Sequence, residues 1–72
     1  MAHRDYVRNG HAISIDVDED ARGRWSWSYT IDGLGYTRML DRPLRSEGQA
    51  MREAEHDANA KVDRMPVGDA EE

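Results

Sequence analysis

Seventy-two residues with no cysteine and a net charge of −5 exclude a second domain, a disulfide scaffold and a thiolate metal site. Hydrophobic residues make up 38% of the chain, but eight are alanine and none is phenylalanine. Large apolar side chains are therefore scarce, and most must be spent on a single small core.

In chain order, Asn9-Gly10 comes first. It is a strong hairpin signal, because both central residues of a type I′ turn need positive φ. A short strand near residues 4–8 is expected to pair across it with HAISIDVD. There His11, Ile13, Ile15 and Val17 alternate with Ala12, Ser14, Asp16 and Asp18, the pattern of a half-buried strand.

Glu19 through Gly23 reads as a five-residue polar loop. That length sets Asp18 opposite Arg24, and Val17, Ile15 and Ile13 opposite Trp25, Trp27 and Tyr29. The run RWSWSYTIDG thus presents its rings to the apolar face of its neighbour. Asp32-Gly33-Leu34-Gly35 is the next turn, followed by a strand over residues 36–40. A two- or four-residue loop places Tyr36, Arg38 and Leu40 on the aromatic face, Arg38 then lying over a ring at the sheet edge. An odd-length loop buries Thr37 and Met39 instead.

Pro43 restricts Arg42 to extended geometry, so residues 41–45 are not a helix interior. Ser46 through Gln49 reads as a capping box. The helix that follows carries Ala50, Met51, Ala54, Ala58, Val62 and Met65 as a narrow apolar stripe, and Pro66 stops it. Residues 1–65 form the expected domain, and residues 66–72 a flexible acidic tail. The fold class is α+β: a three- or four-stranded antiparallel meander with one C-terminal helix across a single face. Alanines on the helix leave volume for Trp25, Trp27 and Tyr29, which are read as core aromatics.

The charge is unevenly placed. Residues 1–46 carry seven acids and seven arginines, whereas residues 47–72 carry eight acids against Arg52, Lys61 and Arg64. A nucleic acid facing the C-terminal third would be repelled. No apolar run is long enough to span a membrane, and MAHRDYVRNG has no hydrophobic leader, so a soluble, cytoplasmic protein is expected. Nine arginines against one lysine fit a GC-rich bacterial coding bias.

Candidate sites fail one by one. Asp16 through Asp20 opens like a calcium loop, but Ala21 stands where glycine belongs and Trp27 where a bidentate glutamate belongs. His3, His11 and His56 are dispersed, and Glu53-Ala54-Glu55-His56 supplies one Glu-x-x-His where di-iron bundles need two. Ser14, Ser26 and Ser28 lie on the exposed sheet face without an elbow or an oriented base. Gly33-Leu34-Gly35 is too short to cradle a phosphate. The reading is no catalytic residue, no metal and no cofactor. What remains is a contact surface of Arg22, Arg24, Arg38, Arg42 and Arg45, since arginine is enriched in interfaces and phosphate recognition.

The W-x-W strand at Trp25 and Trp27, the Ile31-Asp32-Gly33 turn and the alanine-spaced helix after Ser46 resemble a group of short uncharacterised proteobacterial β-meander-plus-helix proteins. That resemblance implies a fold and no activity. Ser46, Ala50, Ala54 and Ala58 after a meander are also similar to the HicB-type antitoxin half-fold, which implies a partner-binding role. The element order is similar, too, to three-stranded DNA-binding domains of the AP2 and integrase-arm type, but those sheets are basic, and here Asp16 and Asp18 occupy that face. The expected function is a small non-enzymatic protein-interaction module, self-associating through a strand edge or the sheet face. A nucleic-acid-binding domain using the arginine-bearing sheet is the second reading. The partner expected is an unidentified protein or a second copy of the chain.

Overall fold

Two Asx-Gly pairs set the topology. In the computed structural model, which describes residues 2–40 and 42–70, Asn9 and Gly10 have φ of 54° and 73°, and Asp32 and Gly33 have 57° and 70°. Both are tight two-residue turns of the kind whose twist matches that of the flanking strands. They join β1 (Ala2–Arg8) to β2 (His11–Glu19) and β3 (Trp25–Ile31) to β4 (Leu34–Arg38). The four strands form one antiparallel sheet in the order β1-β2-β3-β4, and α1 (Glu47–Asp63) packs on one face. The chain is α+β.

The β2–β3 register differs by two residues from the one the loop length suggests. Val17 faces Trp27, Ile15 faces Tyr29, and Ile13 faces Ile31. The cause is a shorter turn. The Asp20 N–H donates to the Arg24 carbonyl at 2.8 Å, and Gly23 at φ 77° closes a three-residue loop. The Asp20 carboxylate accepts the Arg22 and Arg24 amides at 2.8 and 3.0 Å. Those charge-assisted bonds are why a five-residue loop does not form. A slip of two keeps every side chain on its own face, so the inward set is unchanged.

The facing of β4 follows from a bulge. Ile31 faces Leu34 across the two-residue turn, but Tyr29 faces Thr37, leaving Gly35 and Tyr36 together opposite Thr30. Gly35, at φ 69°, supplies the left-handed backbone that such an insertion uses. One extra residue acts as an odd-length loop. Thr37 and Met39 therefore turn toward the aromatic face and are half-buried, while Tyr36, Arg38 and Leu40 are exposed. The placement of Tyr36, Arg38 and Leu40 on the aromatic face is corrected accordingly.

Ile13, Ile15, Val17 and Tyr29 on the sheet meet Ala50, Ala54, Ala58 and Val62 on the helix, and all eight are buried. Trp25 and Trp27 are partly buried against that core. The Trp27 and Tyr29 rings stack with centroids 5.7 Å apart. Each large buried side chain contributes about 1.5–3 kcal/mol. Among the described residues five large side chains are fully buried, so polar ties along the helix matter.

Those ties are lopsided. On the β1 side, Arg4 pairs with Glu55, and the Tyr6 hydroxyl donates to Asn59 at 2.6 Å. Arg8 donates to both Asp63 oxygens at 3.0 and 2.9 Å. On the β4 side, Lys61 Nζ donates to Thr37 at 3.3 Å. The helix is thus strapped to β1 and lies over β2 and β3, leaving β4 as an open edge.

Ser46 caps α1 by accepting the Gln49 amide at 3.1 Å. After the helix, the Asn9 side chain donates to the Val62 and Met65 carbonyls at 2.8 and 3.1 Å. Residues 66–70 then run back along the β1–β2 turn. Gly68 donates to Asn9 at 3.0 Å, and Ala70 donates to Gly10 at 2.8 Å. Residues 71 and 72 of the expected tail, and Asp41 in the segment before the helix, lie outside the described residues.

Candidate functional site

The sheet face away from α1 is a flat polar surface. Its middle consists of Ala12, Ser14, Ser26, Ser28 and Thr30, alternating with the inward core residues, and Ser28, expected to be exposed, is instead buried between its neighbours opposite Arg38. Its β1–β2 half carries a linked acid cluster. The two ring nitrogens of His3 meet Asp16 at 2.6 Å and Asp5 at 2.9 Å, and Asp5 accepts the Ser14 hydroxyl. Hydrogen bonding to Asp16, then to Asp5, raises the His3 pKa. The Ser14 hydroxyl and then His3 lower that of Asp5. Ser14 thus donates to the Asp5 carboxylate, which His3 holds from the other side. Among the described residues no group of His, Cys, Asp and Glu is placed to hold a metal ion.

The β4 half of the same face is different. Tyr36 and Arg38 stand side by side, with the guanidinium 5.4 Å from the ring centroid. The Met39 amide donates to the Trp27 carbonyl at 3.1 Å, and Arg38 faces Ser28. Ladder bonds alternate along an antiparallel strand, so the Arg38 N–H and C=O point away from β3, toward the free edge. Leu34, Tyr36 and Leu40 are 76%, 63% and 95% exposed, which places three of the four exposed large hydrophobic residues among the described residues on or beside this one strand.

The arginines chosen from sequence share one end of the molecule. Arg22 and Arg24 lie at the β2–β3 turn, Arg38 ends β4, and Arg42 and Arg45 lie between β4 and α1. All five are exposed. The topology brings β3's start and β4's finish to the same end, which collects them. Only Arg38 stands on the sheet face; the others flank it on loops. The Trp25 amide and carbonyl exchange bonds with Leu44 at 2.8 and 2.6 Å, which holds the Arg42–Arg45 segment against β3. Of the three aromatics read as core, Tyr29 is 1% exposed and donates its hydroxyl to Asp57. Burial first, and that bond second, push its pKa far up. The Trp27 indole N–H is sealed without an acceptor among the described residues.

His11 forms a separate junction at the opposite end. It is 6% exposed, with Nδ1 at 2.7 Å from Asp32 and Nε2 at 2.7 Å from the Pro66 carbonyl. Both partners are acceptors, an arrangement that favours the doubly protonated ring. Asp32 first, and the Pro66 carbonyl second, raise the His11 pKa.

Sequence reasoning named a strand edge without saying which one, because it left the facing of Tyr36 and Arg38 open between even- and odd-length loops. The available signal was Gly35, two residues past an Asp-Gly turn, where a second left-handed residue marks a bulge. No helix among the described residues is long and apolar enough to cross a membrane. Compared with known proteins, the chain matches no family model, no curated protein and no solved structure.

Proposed function

We propose that this chain is a small cytoplasmic protein-interaction module, rather than an enzyme, that receives an extended strand along β4. The observation that carries this reading is the coincidence of an outward-facing main chain at Arg38 with exposed Leu34, Tyr36 and Leu40 on and beside the same strand. Strand addition draws affinity from main-chain bonds and specificity from alternate side chains, and β4 supplies both. The other edge is guarded. β1 carries His3, Arg4, Asp5 and Arg8, the charged pattern that keeps an edge from pairing. A partner-binding role is also what the antitoxin-like half-fold implies.

The experiment is a selection of displayed heptapeptides on the immobilised protein, repeated on Arg38→Pro. Proline there removes an amide that faces the free edge and spares the ladder to β3. Selected peptides should bind the parent chain and Arg22→Ala alike and lose binding to Arg38→Pro. Peptides that bind all three equally would refute the reading.

The second reading, nucleic-acid binding by the arginine-bearing surface, is favoured by the gathering of Arg22, Arg24, Arg38, Arg42 and Arg45 at one end. Against it, Asp5, Asp16 and Asp18 share the sheet face with Arg38. Its sign would be tryptophan quenching by oligonucleotides that added salt reverses.

A further inference from the structure

We infer that the strand received at β4 is the β4 of a second copy, placed antiparallel about a two-fold axis through Thr37. This rests on the reading of β4 as a strand acceptor and names its occupant.

The argument is one of self-complementarity. A closed pair of identical chains needs a surface that matches itself under a two-fold rotation. Arg38 presents its main chain outward, so it must meet an outward-facing residue of the other copy. A register centred on Arg38 sets two guanidiniums directly opposite each other, which is unfavourable. A register centred on Tyr36 leaves Arg38 beside the partner's leucine. Centred on Thr37, each Arg38 lies opposite a Tyr36 ring, repeating between chains the contact already made within one at 5.4 Å. The same register brings the Leu34 end of one strand alongside the Leu40 end of the other. The exposed apolar residues of β4 and its flanks are then covered together.

Closure also accounts for the two edges. Pairing β4 with β4 gives an eight-stranded sheet whose outer strands are the two charged β1 edges, so assembly stops at two. A head-to-tail pairing of β4 with β1 would continue indefinitely and would set Arg4, Asp5 and Arg8 against the leucines. The helix leaves room for the partner, because most of its polar ties run to β1, whereas Lys61 bonds β4 at Thr37. Five residues of β4 make a short contact, at the low end of specific interfaces. The dimer is therefore reversible and depends on concentration.

The absence of cysteine makes a cross-linking test clean. Under the Thr37-centred register, the two Thr37 residues form a non-hydrogen-bonded pair with Cα atoms about 4.5 Å apart, within the range a disulfide spans. Thr37→Cys should form a disulfide-linked dimer under mild oxidation. Leu40→Cys, which meets the Leu34 end of the partner, should not. Sedimentation velocity of the unmodified chain should show a monomer–dimer shift with concentration that Arg38→Pro abolishes. A chain that stays monomeric at every concentration, with no cross-link at Thr37, overturns the inference. If selected peptides still bind in an Arg38-dependent manner, strand addition stands and only the second copy falls; if they do not, both fall. A dimer that cross-links at Leu40 rather than Thr37 overturns the register.

Discussion

Gly10 and Gly68 touch through bare backbone, and that contact can be taken apart by adding single methyl groups. A Cβ on either residue would collide with the carbonyl of the other. Gly10 also holds φ of 73°, whereas Gly68 is not among the residues with positive φ. Gly68→Ala therefore tests docking of residues 66–70 alone. It forfeits the bonds from Gly68 to Asn9, from Ala70 to Gly10 and from His11 to the Pro66 carbonyl, each worth about 0.5–1.5 kcal/mol, so about 1.5–4.5 kcal/mol together. Gly33→Ala tests left-handed strain alone, because nothing lies within 4 Å of its added Cβ. It should cost about 1–2 kcal/mol. Gly10→Ala carries both penalties. The double variant Gly10→Ala/Gly68→Ala should be no worse than Gly10→Ala, because the segment undocks only once. Urea unfolding followed by tryptophan emission gives the four free energies, and each kcal/mol moves Tm by about 4–8 °C in a domain of this size. Strict additivity of Gly10→Ala and Gly68→Ala, or a Gly68→Ala chain as stable as the parent, would refute the docking of residues 66–70.

The same junction has a pH dependence whose sign follows from His11. Its folded pKa lies above the ordinary 6.5, so its contribution is complete below that value and is lost as pH rises through the folded pKa. Asp32 is held below its ordinary 3.8 by His11 first and the Ala12 amide second, so its share is lost as pH falls through that lowered value. Exchange of the Ala70 amide should accelerate on the alkaline side beyond the ordinary rise with pH, and His11→Gln should remove that extra step; a His11 resonance titrating at or below the free-histidine value contradicts this. Ser46→Ala removes the helix N-cap and should cost about 1 kcal/mol by urea unfolding, whereas Ser26→Ala, on the open face, should be close to neutral.

Most of the inward face was legible because it rests on period. His11, Ile13, Ile15 and Val17 alternate, Ala50, Ala54 and Ala58 recur every four residues, and neither pattern depends on how the strands are joined. Asn9-Gly10 and Ser46 were legible for the same reason, since each acts within a few residues of itself. Register was not. It turned on whether Asp20 would cap a three-residue loop, which depends on two amides reaching one carboxylate. The facing of β4 turned on Gly35, whose left-handed backbone is one of two conformations open to a glycine there. The binding of residues 66–70 to the first turn was hidden because it uses main-chain atoms and two glycines, which carry no side-chain pattern. The five arginines were visible as residues, but their common end is a property of the meander.

The most direct test of β4 as a strand acceptor is hydrogen exchange at single amides, measured by NMR over a dilution series. The account predicts that protection at Arg38 rises with protein concentration, while Met39, already bonded to Trp27, stays protected throughout. An Arg38 amide that exchanges freely at every concentration, or protection that appears along β1 instead, would contradict it.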